Sequence, residues 1–131
     1  MITLLADHNV EFQVHLKWTT FSVADWYTFG VGGLVQIDEC GLSPDSSDRI
    51  VWNHCQSHGL LLITANRNQH GKDSLETTVA ELNHALALPV LTIGNADSVK
   101  EMRYREDCAY RIADIAFRLD GMRGTGRLFI P

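Results

Sequence analysis

Three short apolar runs end in the same way: Ile2 to Ala6 stops at Asp7, Leu60 to Ile63 at Thr64, and Pro89 to Ile93 at Gly94. Runs of that length, apolar at successive positions rather than at alternate ones, fit strands covered on both faces. Leu34 to Ile37, leading into Asp38-Glu39, is a fourth candidate. Gly30-Val31-Gly32-Gly33 reads as a turn ahead of it, and Leu128-Phe129-Ile130, entered past Gly121, Gly124 and Gly126, reads as an edge strand.

Between these runs the apolar period lengthens to that of a helix. Ser46 or Ser47 can cap a helix carrying Ile50, Val51, His54 and Cys55, with Gly59 as its stop. A second helix is predicted from Asp73-Ser74 through Leu75, Val79, Leu82 and Leu86. A third starts near Asp97-Ser98 and sets Cys108, Ile112, Ile115 and Leu119 on one face. Residues 9 to 29 suit one or two helices, with Val10, Val14, Trp18, Phe21 and Trp26 on the apolar side. Strands alternating with helices predict an α/β fold around a mostly parallel sheet.

The chain has 131 residues, 45% of them hydrophobic and 21% charged, which suits one domain able to bury a core without disulfides or a structural metal. Its net charge of −5 gives no broad basic surface, so any phosphate contact must be local. No run approaches the ~20 apolar residues of a membrane span. The opening Met1-Ile2-Thr3 has no basic leader, so a soluble cytoplasmic protein is expected. Cys40, Cys55 and Cys108 are widely spaced without C-x-x-C, which fits reduced thiols.

In a parallel sheet, ligands gather at the carboxyl ends of the strands. Asp7 has that position. Asp48 falls in the first turn of a predicted helix, and Asn66, Asn68 and Asp73 follow the third strand. All five carry oxygen donors, the kind that Mg2+ and Mn2+ prefer. Helix capping is the competing reading for Asp48 and Asp73. His54 and His58 have the spacing of a zinc pair, but Cys55 stands where H-E-x-x-H has Glu, so a surface or core role is expected. Neither a phosphate-binding G-x-x-x-x-G-K-[ST] nor a G-x-S-x-G serine elbow occurs. Trp18, Trp26, Tyr27 and Trp52 lie at helical spacing and read as core rather than as base-stacking residues.

Asp7 after the first run, Gly41-Leu42-Ser43 with Ser47-Asp48-x-x-Val51, Leu61-Leu62-Ile63-Thr64, and Leu88-Pro89-Val90-Leu91-Thr92-Ile93-Gly94 together resemble a bacterial PIN-like family, frequent in cyanobacteria. The similarity covers most of the chain. It implies a three-layer α/β/α sandwich and hydrolysis of RNA with one or two Mg2+ or Mn2+ ions. Many such domains are toxins of toxin–antitoxin pairs, which makes RNA the expected substrate and an antitoxin the expected protein partner.

Asp7 and Asp48 match two acidic positions of the pattern, whereas Asn66 and Asn68 stand where it usually has Asp. An amide oxygen can ligate a hard cation but brings no charge. Asp73 can supply a missing carboxylate, and Arg67 can steady a phosphate. Metal ligands are therefore sought among Asp7, Asp48, Asn66, Asn68 and Asp73, and catalytic residues among Asp7, Asp48 and Arg67. The alternative is a degenerate domain that binds RNA or a partner protein without cutting. A haloacid dehalogenase-type phosphatase fits less well, because Asn9 cannot act as its general acid. A homodimer is expected only on general frequency.

Overall fold

The computed structural model describes residues 1–7, 21–65, 74–95, 98 and 100–130. Among these, β1 (Ile2–Ala6), β2 (Val31–Gln36), β3 (Leu60–Thr64), β4 (Val90–Ile93) and β5 (Arg127–Ile130) form one sheet in the order β2-β1-β3-β4-β5. Every neighbouring pair is parallel. Parallel neighbours need crossover connections, and the helices α1 (Val23–Thr28), α2 (Asp48–His58), α3 (Leu75–Leu82), α4 (Met102–Phe117) and α5 (Leu119–Met122) lie in the connections. The result is the expected α/β/α sandwich.

Two apolar layers flank the sheet. Leu4, Leu61, Ile63, Leu91, Ile93 and Ile130 pack with Cys108, Ile112 and Ile115 of α4 on one face. On the other face Leu5, Leu62 and Val90 pack with Val51, Trp52 and Cys55 of α2 and Leu75 of α3. Because successive side chains of a strand point to opposite faces, an unbroken run such as Leu60 to Ile63 feeds both layers at once.

The structure revises four local expectations. β2 starts at Val31, not Leu34, so Gly32-Gly33 is strand rather than turn: Ile2 and Thr3 of β1 pair with Val31 and Gly33. Pairing to β1 outweighs the weak strand preference of glycine, and Met1 packs where a Gly32 side chain would stand. α4 starts at Met102, later than Asp97-Ser98, because the chain before it is tied into turns. The Asn95 carbonyl accepts from Ser98 N at 3.2 Å, and Asn95 N donates to the Tyr104 hydroxyl at 2.8 Å. Leu86 is exposed and lies beyond α3, which ends at Leu82. Tyr27 is also exposed, since the short helix α1 has no buried residue, whereas Trp52 is core on the α2 face and Trp26, partly buried, packs against the layer on the opposite face. The expected helical residues 9 to 20, Trp18 among them, lie outside the described residues.

The end of α3 explains the glycine-rich segment before β5. Asn83 Nδ2 donates to the Gly124 carbonyl at 2.9 Å, Gly124 N to the Ala87 carbonyl at 2.9 Å, and Arg123 to the Leu86 carbonyl at 3.0 Å. This brings Gly124 so close that a Cβ there would sit 3.0 Å from the Ala85 carbonyl oxygen, at a φ of +84°. Gly124→Ala combines left-handed strain with a backbone clash and is expected to cost about 2 kcal/mol, measurable by urea unfolding. Thr78 offers the opposite case. It is fully buried on α3, and its hydroxyl has no hydrogen-bond partner among the described residues. Thr78→Val removes that uncompensated polar atom at nearly constant shape and is expected to stabilise by about 1 kcal/mol in the same assay.

Candidate functional site at the carboxyl edge

From β1 the chain moves outward to β2, then crosses back over β1 to β3, so the connections part between β1 and β3. That gap, at the carboxyl ends, is where ligands sit in open α/β sheets. Asp7 directly follows β1, and Thr64 closes β3 beside it. Asp7 N donates to the Ile63 carbonyl at 2.9 Å, which extends the ladder by one step. The Thr64 hydroxyl then donates to Oδ2 of Asp7 at 3.2 Å. Both residues are buried, Asp7 to 6% exposure and Thr64 to 2%. Aspartate is seldom buried this far, and it is not held here by apolar packing alone.

Asp48 reaches the same edge from α2. The Ser47 hydroxyl caps this helix by accepting from Ile50 N, and the left-handed Gly59 (φ +65°) turns it straight into β3. Eleven residues at ~1.5 Å rise carry it about 16 Å across the sheet, so its first residue stands at the carboxyl edge. The Asp48 carboxylate accepts from Leu75 N, the first amide of α3, at 3.0 Å. The expected capping role is real but serves a different helix: Asp48 ties the start of α3 to the start of α2. Two positive helix ends thus meet one carboxylate.

Cys55 lies on the same helix as Asp48. It is seven residues after Asp48, two turns along the same face of α2, and it is fully buried against the sheet. Burial pushes its thiol up to about 12, with smaller contributions from the charges of Cys40 and Asp7. Asp7, two residues after Leu5, takes the α2 side of the sheet by strand alternation. Burial and the carboxylates of Glu39 and Asp38 also raise Cys40, while burial pushes Cys108, on the opposite face, to about 12. All three cysteines are free. Protonated thiols offer neither a nucleophile nor a soft metal ligand at neutral pH.

A polar row continues beyond the residues singled out in the sequence. Thr64 is in register with Thr92 of β4, and Thr92 with Phe129 of β5. Thr92 is fully buried, and its hydroxyl accepts from Nε of Arg127 at 2.9 Å. Arg127 also donates to Glu76, in the first turn of α3, at 3.0 Å. Asp7, Thr64, Thr92 and Arg127 occupy the strand positions that face α2 and α3, as Leu5, Leu62 and Val90 do. A usable signal for Thr92 was its hydroxyl inside the run Val90-Leu91-Thr92-Ile93, matching Thr64 at the end of Leu61-Leu62-Ile63-Thr64. Arg127 and Glu76 gave none, being 51 residues apart.

Asn66, Arg67, Asn68 and Asp73 lie outside the described residues, as does Asn9. Among the described residues no three His, Cys, Asp or Glu side chains are grouped to hold a metal ion. The donors at the edge nevertheless suit a hard cation in kind. Asp7, Thr64 and Asp48 offer oxygen only, and Mg2+ is commonly held by one or two carboxylates with water and substrate phosphate completing its shell. Among the described residues no helix is long and apolar enough to cross a membrane. No family model matches this chain, and neither the curated proteins nor the solved structures contain a match to it.

Proposed function

We propose that this chain is a Mg2+- or Mn2+-dependent endoribonuclease of the PIN-like type, working at the carboxyl edge around Asp7 and Asp48. The observation that supports the reading best is the buried Asp7–Thr64 hydrogen bond at the point where the strand connections part. A buried carboxylate lowers stability unless it is compensated, so its presence in a ligand-binding crevice points to chemistry.

On this reading Asp7 and Asp48 hold one divalent cation. When bound, the ion polarises a phosphate oxygen and lowers the pKa of a water molecule for attack at phosphorus. Thr64 fixes the orientation of Asp7 through its hydrogen bond, and the helix starts at Asp48 fix the second carboxylate. Arg67 would steady the phosphate and Asp73 would add negative charge; both lie outside the described residues. With a net charge of −5, RNA is held at this one place rather than along a basic face, and an antitoxin is the expected protein partner.

A second reading, binding of RNA or a protein without cleavage, is favoured by Asn66 and Asn68 and by the two-carboxylate count among the described residues. Incubation of the full chain with single-stranded RNA in Mg2+, Mn2+ or EDTA separates the two. Cleavage that EDTA abolishes supports the nuclease. Retention of intact RNA supports the second reading, and no binding with no cleavage overturns the ribonuclease proposal.

A further inference from the structure

The outer side of α2 carries a pair of groups that the carboxyl edge does not use. His54 and His58 are four residues apart, and their rings stack with centroids 4.1 Å apart and planes 20° from parallel. Nδ1 of His58 lies 3.0 Å from the backbone carbonyl oxygen of His54. A carbonyl only accepts, so Nδ1 carries the proton and donates, which leaves the lone pair on Nε2. Histidines that bind metals are commonly held in this way, with the second ring nitrogen donating to a carbonyl. His58 is also in the last turn of α2, at the negative end of the helix dipole, where a cation is stabilised.

We propose that His54 and His58 form a two-imidazole site for a borderline divalent transition ion of the Zn2+ or Cu2+ class. Nitrogen at ~2.0–2.1 Å from such an ion requires the two Nε2 atoms to come within about 3–3.5 Å of each other. The stacked rings run their lone pairs side by side, so the His54 ring must turn about its Cβ–Cγ bond to converge on the ion, while the bond to the His54 carbonyl keeps His58 in place. Water completes the shell. The site lies about 9 and 15 Å down the helix from Asp48, for His54 and His58 respectively, towards the opposite edge of the sheet. Ligand chemistry keeps the two places apart: imidazole selects Zn2+ and Cu2+, whereas the oxygen set at Asp7 and Asp48 selects Mg2+ and Mn2+. The proposal does not depend on the chain being a nuclease.

Calorimetric titration of the full chain with Zn2+ in the presence of millimolar Mg2+ tests it. One bound Zn2+ is expected, with affinity falling roughly tenfold or more in each of His54→Gln and His58→Gln and staying unchanged in Asp7→Asn. Circular dichroism of the histidine variants should match the wild type, because one ring is half-buried and the other exposed. No Zn2+ uptake up to 1 mM overturns the site. Uptake that survives both histidine substitutions, or that disappears with Asp7→Asn, overturns it equally.

Discussion

Asp7→Asn is expected to lower metal-dependent RNA cleavage by roughly a hundredfold while leaving the protein folded. A catalytic cation contributes several kcal/mol to stabilising the transition state, and each 1.4 kcal/mol is about tenfold in rate. Asn keeps an oxygen that can accept from the Thr64 hydroxyl, so the 3.2 Å hydrogen bond survives and only the charge is lost. Removing a buried charge leaves stability level or slightly higher. Single-turnover cleavage and thermal unfolding, measured on the same preparation, check both halves. Equal cleavage rates in the variant and the wild type would show that the activity comes from elsewhere.

Asp48 separates structure from chemistry more sharply, because its carboxylate serves both. Asp48→Ala removes the acceptor for Leu75 N and is expected to destabilise by about 1 kcal/mol, as the loss of a helix cap does. Asp48→Asn keeps an acceptor oxygen for that amide and is expected to recover most of the stability. Neither variant retains the negative charge, so both are expected to lose roughly a hundredfold in cleavage. Denaturant unfolding together with cleavage rates checks the pair. An active Asp48→Asn would reduce Asp48 to a cap that joins two helices.

What could be read from the chain follows the physics of each element. Strands buried on both faces are apolar at nearly every position, so Ile2 to Ala6, with Thr3 its one polar residue, and Leu60 to Ile63 announce themselves, and Asp7 stands out because it ends such a run. Only the start of β2 is hidden, because an edge strand can carry glycines and the place of Val31 to Gly33 depends on pairing with β1 rather than on their own preferences. Ser47, Ser74 and Gly59 marked helix ends through local hydrogen bonds and backbone conformation, which a short window of sequence contains. The first turn of α4 was misjudged because turns around Asn95 compete with the helix there.

The site was legible where one residue sufficed and opaque where partners were distant. Asp48 is an ordinary helix-start acid until Leu75, 27 positions later, is seen donating to it. Thr92 and Arg127 are separated by 35 residues, and only the sheet register brings them into line with Thr64 and Asp7. The histidine pair is the intermediate case. Its spacing was visible, but the shared stacking and the carbonyl that fixes one tautomer are properties of the folded helix.

On the proposed reading, Asp7 and Asp48 bring their carboxylates to one hard cation. Anomalous scattering from crystals soaked in tens of millimolar Mn2+ tests it most directly. A single peak is expected, at ~2.0–2.2 Å from a carboxylate oxygen of each residue. No peak at that edge, or carboxylates more than a nanometre apart, would contradict it.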